Sequence, residues 1–433
     1  MSPPVTRGQR RPRAAEAARP GGEVCRFCAA ELGVSLIDLG ELPLANSYLR
    51  PEDLERPEPR YALEPRVCER CWLVQIPELE RAEELFRDYA YFASYSDSWL
   101  AHCERYCRSA IDRFGLGPES RVVEAASNDG YLLQFFAREG IRVLGVEPAE
   151  NVAAAAEAKG IPTRREFFGE ASARRLAASG ESADLFIANN VLAHVPDLND
   201  FVRGIHAVLA PGGAATAEVP HLLRLLEQGQ LDTIYHEHFS YFSLGTLVRV
   251  FAAHGLEVFD VEELPTHGGS LRIYARRAEG VASRAAARVA EVQRREAHAG
   301  LEDPAAYRAF AARAERVRDD LLEFLRRARA EGALVAGYGA PAKGNTLLCW
   351  SGIGPDLLPF TVDRSPHKQG LYLPGSRIPV RAPPDLVAAR PDFVLILPWN
   401  LRDEIAEQMR GVREWGGRFV VAVPRLEIVD PPP

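Results

Sequence analysis

The sequence predicts an α/β protein in three units: a small N-terminal module clamped by cysteines, then two successive domains built on mostly parallel sheets. Three observations carry that expectation. Two Cys-x2-Cys pairs lie near the N-terminus, a strand–turn–helix pattern with a small-residue turn begins at Arg121, and a second glycine-rich turn begins at Gly337. At 433 residues the chain is too long for one ordinary core. With 47% hydrophobic and 26% charged residues it has the composition of a soluble globular protein. No apolar run reaches the ~18 residues of a membrane span. A formal charge of −8 argues against a general nucleic-acid binder but leaves room for a small anionic ligand, which needs only a local positive cluster.

Residues 1–22 carry five arginines among prolines and glycines, with no apolar stretch of signal-peptide type, so a disordered tail and a cytoplasmic location are expected. Arginine outnumbers lysine 49 to 3, which draws attention to Lys343 and Lys368 in glycine-containing segments. Residues 23–80 form the first unit. Cys25, Cys28, Cys68 and Cys71 make two Cys-x2-Cys pairs separated by 39 residues, a spacing that lets four thiolates surround zinc. Four protein ligands leave no position for water or substrate, so this zinc is expected to be structural. Cys103, Cys107 and Cys349 lack such pairing and are expected to be ordinary semi-buried thiols. Between the pairs, Asn46 and Ser47 end an apolar run, where they either cap a turn or face a ligand; local chemistry favours the turn.

Residues 81–280 form the second unit. Its aromatic opening, Tyr89 to Tyr95, suits a core or domain seam, with one phenol reaching an active site as the alternative. A strand ending at Glu124 leads into Ala-Ala-Ser-Asn-Asp-Gly130 and a helix from Tyr131; a second strand, Ile141 to Val146, ends in Glu147-Pro148. An acid about twenty positions after such a turn is placed for the two ribose hydroxyls of an adenosine ligand. Ala126, Asn128 and Gly130 stand where a dinucleotide fold has glycines, so close approach to a pyrophosphate is disfavoured. A phosphate-free cofactor, S-adenosylmethionine, fits better, held by Glu124, Ala126, Ser127, Asn128, Asp129, Gly130, Glu147, Pro148, Asn189 and Asn190. Further strands are expected at 184–188, 214–219 (after a Pro211-Gly212-Gly213 turn), 256–261 and 270–275. The last two lack a helical connection and so pair antiparallel. That is the layout of a class I methyltransferase.

Tyr235-His236-Glu237-His238 concentrates proton-handling groups after the strand ending at Val219. Histidine with a neighbouring carboxylate is a ready general base. In an extended stretch Tyr235 and Glu237 would face away from His236 and His238, so a turn or helix start is expected here if Tyr235, Glu237 and His238 are to converge. Residues 281–330 read as connecting helices, with Phe310, Val317, Leu321 and Phe324 on one face. Residues 331–433 repeat a small parallel α/β pattern, Rossmann-like, whose glycine-rich turn and Lys343 suit a diphosphate.

Five segments together resemble the S-adenosylmethionine-dependent C-methyltransferases that act on nucleotide-linked deoxyketosugars in antibiotic biosynthesis. They are Leu-Ala-Asn-Ser at 44–47, Ala-Ser-Asn-Asp-Gly at 126–130, Tyr-His-Glu-His at 235–238, His-Gly-Gly-Ser-Leu-Arg at 267–272 and Gly-Tyr-Gly-Ala-Pro-Ala-Lys-Gly-Asn at 337–345. The resemblance implies methylation at carbon 3 of a dTDP-linked 4-keto-2,6-dideoxyhexose. It also implies His238 as base, Tyr235 and Glu237 beside it, and Tyr89 and His194 lining the sugar site. Under this reading Asn46, Ser47, His267, Lys343, Asn345, His367 and Lys368 face the nucleotide sugar, and His236 points elsewhere. Removing a proton beside a ketone needs a base at carbon and a donor at the ketone oxygen, and imidazole and phenol supply both. O- or N-methylation of a related molecule is the enzymatic alternative; a non-catalytic nucleotide-binding scaffold is the other. No nucleic-acid or membrane partner and a monomeric state are expected.

Overall fold

The computed structural model describes residues 24–78, 93–95, 97–278 and 287–432. Tyr89 and the rest of the aromatic run up to Phe92 lie outside them, as does the N-terminal tail. Among the described residues no helix is long and apolar enough to cross a membrane.

Each cysteine pair ends in a residue with left-handed backbone, Ala29 (φ 58°) and Trp72 (φ 64°). Their amides return to the first cysteine of each pair: Ala29 N to Cys25 O at 2.9 Å and Trp72 N to Cys68 O at 2.7 Å. Two equivalent knuckles therefore present their sulfurs to one point. The strands beside them, Val34–Ser35, Arg66–Val67 and Val74–Gln75, form a sheet whose fourth strand is Ser240–Tyr241, two residues past His238. The module is thus continuous with the segment that carries the histidine-rich stretch.

The central sheet has seven strands: β1 (Arg121–Ala125), β2 (Arg142–Val146), β3 (Thr163–Arg164), β4 (Ala183–Asn189), β5 (Leu209–Pro220), β6 (Leu256–Leu264) and β7 (Ser270–Arg277). Their order is β6-β7-β5-β4-β1-β2-β3, with β7 antiparallel to both neighbours. A mostly parallel sheet with one late antiparallel strand is what the sequence predicts; the two-residue edge strand β3 is absent from that expectation. The order reverses at β1, so the cleft above the C-terminal ends of β1 and β4 is the ligand-binding crevice of an open α/β sheet. Three expectations are corrected. Pro211-Gly212-Gly213 is not a turn that precedes the strand: β5 begins at Leu209 and carries these residues as a bulge, its register to β4 shifting between Leu209 and Ala214. At Gly213 a Cβ would lie 2.6 Å from the Ala183 carbonyl, so glycine is needed for the strand to pass. The helix expected from Tyr131 begins at Leu133. Cys103 and Cys107 are fully buried in the helix Asp97–Phe114 rather than semi-buried, since they lie on its sheet-facing side.

Two connecting helices, Ala287–His298 and Pro304–Ala330, follow, and the four predicted apolar positions of the second are buried. The last sheet comprises β8 (Val335–Tyr338), β9 (Thr361–Val362), β10 (Val380–Arg381), β11 (Phe393–Ile396), β12 (Arg418–Val421) and β13 (Glu427–Val429), in order β10-β9-β8-β11-β12-β13. Its antiparallel edge strand β13 is absent from the sequence expectation, and the strand expected at 358–362 is reduced to two residues. One apolar core runs through the cysteine module, the long connecting helix and one face of this last sheet, so these parts pack as a unit.

Candidate active site

Four sulfurs define the metal position. Cys25 Sγ and Cys71 Sγ are 3.5 Å apart, as are Cys28 Sγ and Cys68 Sγ, and all four lie within 4.8 Å of one another. A tetrahedron with Zn–S bonds of about 2.3 Å has edges of about 3.8 Å, so these residues fit zinc. The Gln75 amide donates to Cys25 Sγ at 3.1 Å, the kind of outer hydrogen bond that steadies a thiolate ligand. Arg26, between two of the ligands, donates to the Pro196 carbonyl at 3.0 Å, and Asn199 donates back to the Arg26 and Phe27 carbonyls. The metal module therefore holds the loop that carries His194.

Above β1 and β4 the backbone takes conformations that cost energy for residues other than glycine: Ala126 (φ 54°), Asn128 (φ 50°) and Asn190 (φ 54°) are left-handed. Glu147, at the end of β2, accepts from Asn128 N at 2.9 Å and Ala149 N at 2.8 Å, so it braces the turn. Asp129 gives one oxygen to Lys159 at 2.9 Å while its other, Oδ1, is buried without a partner among the described residues. Asn189 Oδ1 and Asn190 Oδ1 share that condition. Such unpaired acceptors around one crevice, counted among the described residues, suit a ligand rich in donors, such as the ammonium and ribose hydroxyls of S-adenosylmethionine. Glu124 is fully buried beside the Tyr131 hydroxyl, and desolvation raises its carboxyl well above the ordinary range. Ser127 packs against Gly145, where a Cβ would lie 2.3 Å from its Oγ.

The histidine-rich stretch adopts the expected turn: His238 N donates to Tyr235 O at 2.9 Å. The turn brings Tyr235 Oη within 2.6 Å of His238 Nε2. On the other side of the ring His238 Nδ1 is 2.8 Å from the Thr233 carbonyl, which can only accept. The proton therefore resides on Nδ1, and Nε2 keeps its lone pair. Burial pushes the His238 imidazole well below its usual pKa, with His194, Lys343 and His267 adding repulsion. His194 lies beside it, ring centroids 4.8 Å apart, and donates from Nδ1 to the Glu237 carbonyl at 2.7 Å. Burial lowers the His194 pKa to about 4. Both imidazoles are thus neutral near pH 7.

Glu237 reaches the other way, and both its oxygens accept from Asn46 Nδ2 at 2.8 Å. Desolvation raises its pKa to about 7, with the Asn46 bond opposing. Asn46 is thus both a turn residue, as Ser47 N donates to Leu44 O, and a partner of the site; Ser47 is exposed. His236 points away to the Tyr61 carbonyl. His267, left-handed at φ 55°, packs against Trp99, and Lys343 Nζ lies 3.4 Å from its carbonyl. Lys343 therefore reaches toward the central domain, whereas Lys368 turns back onto the glycine-rich turn, 2.9 Å from the Ala340 carbonyl. Asn345 is buried facing the Ala45 carbonyl, and His367 is exposed. Pro148 lies beside the brace formed by Glu147.

Sequence reasoning missed the buried group of Glu218, Arg272 and His102. Arg272 Nε donates to Glu218 at 2.8 Å, and His102 Nε2 is 3.1 Å from the same carboxylate. Trp99 stacks on His102, which ties this group to His267. Arg272, lying inside one of the recognised segments, was the available signal; its partners lie 54 and 170 residues away in sequence.

Comparison with known proteins now bears on this geometry. The C-methyltransferase NovU of Streptomyces niveus is 38% identical over 406 residues, spanning 94% of this chain and 96% of its own. The chain belongs to this C-methyltransferase family. Family models agree along its length: a zinc binding domain matches residues 25–86, a methyltransferase domain 99–261 and a C-methyltransferase C-terminal domain 265–424. A ubiquinone biosynthesis O-methyltransferase of Methylobacterium sp. (strain 4-46) is 36% identical over 106 residues, 23% of this chain and 41% of that protein. A solved S-adenosylmethionine dependent methyltransferase from Mesorhizobium loti aligns with 41% of this chain and 100% of its own, at 19% identity and a TM-score of 0.33. This C-methyltransferase uses S-adenosylmethionine and carries a four-cysteine zinc site in its N-terminal module.

Proposed function

We propose that this C-methyltransferase methylates carbon 3 of a dTDP-linked 4-keto-2,6-dideoxyhexose, with His238 as the base, in deoxysugar assembly for antibiotic biosynthesis. The observation that carries the reading is the Tyr235–His238 pair, in which a carbonyl at Nδ1 leaves Nε2 basic and a phenol sits 2.6 Å from it. Carbon methylation beside a ketone needs that pairing, because the C–H must be ionised and the charge then rests on oxygen. Bound S-adenosylmethionine supplies a sulfonium methyl group as the electrophile. In the substrate complex His238 Nε2 takes the carbon 3 proton, and Tyr235 Oη turns from the imidazole to donate to the ketone oxygen. His194 and Tyr89 line the sugar, and Glu237, held by Asn46, supports the His194 ring through its backbone carbonyl. Asp129, Asn189 and Asn190 hold the cofactor's donors, and Ala126 to Gly130 shape its cradle. His267, Lys343, Asn345, His367 and Lys368 border the nucleotide, with residues 331–433 as its domain and Asn46 and Ser47 at the sugar edge. The domain divisions at 23–80, 81–280 and 281–330 belong to the same reading, as do a monomeric, cytoplasmic enzyme and the absence of a nucleic-acid partner.

The test is incubation with a 4-ketosugar nucleotide in D2O, with and without the methyl donor. Deuterium should enter at carbon 3 without donor, and product NMR should place a carbon-bound methyl there. A 4-ketone acidifies carbon 5 as well as carbon 3, so a methyl found at carbon 5, oxygen or nitrogen overturns the assignment. His238→Ala should abolish both exchange and transfer.

A further inference from the structure

The carbonyl that sets the His238 tautomer belongs to a turn gripped by the C-terminal domain. Thr233 closes the short turn Leu231–Thr233, and all three residues are at most 1% exposed. Asp232 in that turn accepts the indole N–H of Trp399 through Oδ2 at 2.7 Å. Trp399 follows β11, so the donor comes from a different domain, 167 residues further along the chain. Its ring also lies over Gly268, where a Cβ would come within 2.3 Å of Cη2; only glycine admits the indole there. The helix Ala342–Trp350 packs on the same turn, and its Lys343 is the charge facing Asp232.

A neutral imidazole can carry its proton on either nitrogen, and the neighbours choose. Here the choice hangs on the position of one carbonyl, and that position hangs on a buried carboxylate one of whose oxygens accepts from an indole. Resting on the assignment of His238 as the base, we propose that Trp399, acting through Asp232 and the Thr233 carbonyl, is a positioning residue that selects the Nδ1–H tautomer of His238. The C-terminal domain then does more than border the nucleotide: its docking makes Nε2 the basic nitrogen. Removing the indole N–H leaves a buried acceptor short of a donor, and the turn must shift to find another. A displacement of about 1 Å at such a support is enough to cost a large factor in rate.

The measurement is a two-bond 1H–15N spectrum of the full-length protein labelled at histidine, which reports which ring nitrogen is protonated. His238 signals are identified by their loss in His238→Ala. The native protein should show the Nδ1–H pattern. Trp399→Phe and Asp232→Leu, which break the same bond from opposite sides, should each shift His238 toward Nε2–H and lower kcat about tenfold at unchanged KM for S-adenosylmethionine. Asp232→Asn keeps an acceptor for the indole and should retain the native pattern. Native His238 signals in the folded Trp399→Phe or Asp232→Leu protein overturn the proposal, and so does loss of the native pattern in Asp232→Asn. Carbon–hydrogen exchange that survives His238→Ala overturns the base assignment instead, and leaves the tautomer result standing on its own.

Discussion

Replacing Asn46 with alanine removes the amide that donates to both oxygens of Glu237. Burial already holds this carboxyl at about 7, against an ordinary 4.5. That difference corresponds to about 3 kcal/mol of preference for the protonated form in the folded protein. The sign follows from linkage: the folded state binds the proton more tightly, so the contribution to stability is full below pH 4.5 and is lost as pH rises through 7. Between pH 5.5 and 8 the loss integrates to about 2 kcal/mol, and Glu237→Gln should remove that slope from urea unfolding. Loss of the Asn46 donor takes away a hydrogen bond that favours the anion, and should move the midpoint upward by about one to two pH units. Carbon-13 NMR of protein labelled at the glutamate δ-carbon, with the resonance assigned through Glu237→Gln, reads both midpoints directly. A native midpoint near 4.5, or an unmoved midpoint in Asn46→Ala, refutes the reasoning.

Because the His238 pKa is pushed well below 6.5, the base stays unprotonated in mild acid, and the acid limb of kcat/KM for carbon–hydrogen exchange should lie below pH 6.5; a limb above it counts against a buried base. Chelation of zinc, or Cys28→Ser, removes on the order of 10 kcal/mol of metal-binding free energy. Zinc content, thermal midpoint and activity should fall together, since Arg26 links the ligand pair to the Pro196 carbonyl; activity retained without metal would show the two to be independent. Asp129→Ala deletes an acceptor at the crevice and should weaken S-adenosylmethionine binding about tenfold by calorimetry. An unchanged Kd would place the cofactor elsewhere.

What could be read from the chain alone was whatever is local or periodic. The strand pattern from Arg121 to Ala275 was legible because buried strands are short apolar runs separated by turn residues, and the antiparallel pairing of β6 and β7 followed from the missing helix between them. The cysteine pairs were legible because metal geometry imposes a spacing. The turn at Tyr235–His238 was legible once the family resemblance put both residues in one site, since no extended chain brings Tyr235 to His238. Bulges are less so. The strand through Pro211-Gly212-Gly213 reads as a turn in sequence, because the glycine it needs is demanded by a carbonyl of β4 that only folding brings near.

By itself, the sequence determined the central strands of the two sheets, the metal module and the residue types gathered at residues 235–238. Tertiary structure alone decided what those residues meet. Asn46 reaches Glu237 across 191 positions, and Trp399 reaches Asp232 across 167. The three polar partners Glu218, Arg272 and His102 converge from separate strands and a helix. Such contacts leave no periodic trace, because a buried polar group is satisfied by whatever donor the packing delivers, whatever its place in the chain.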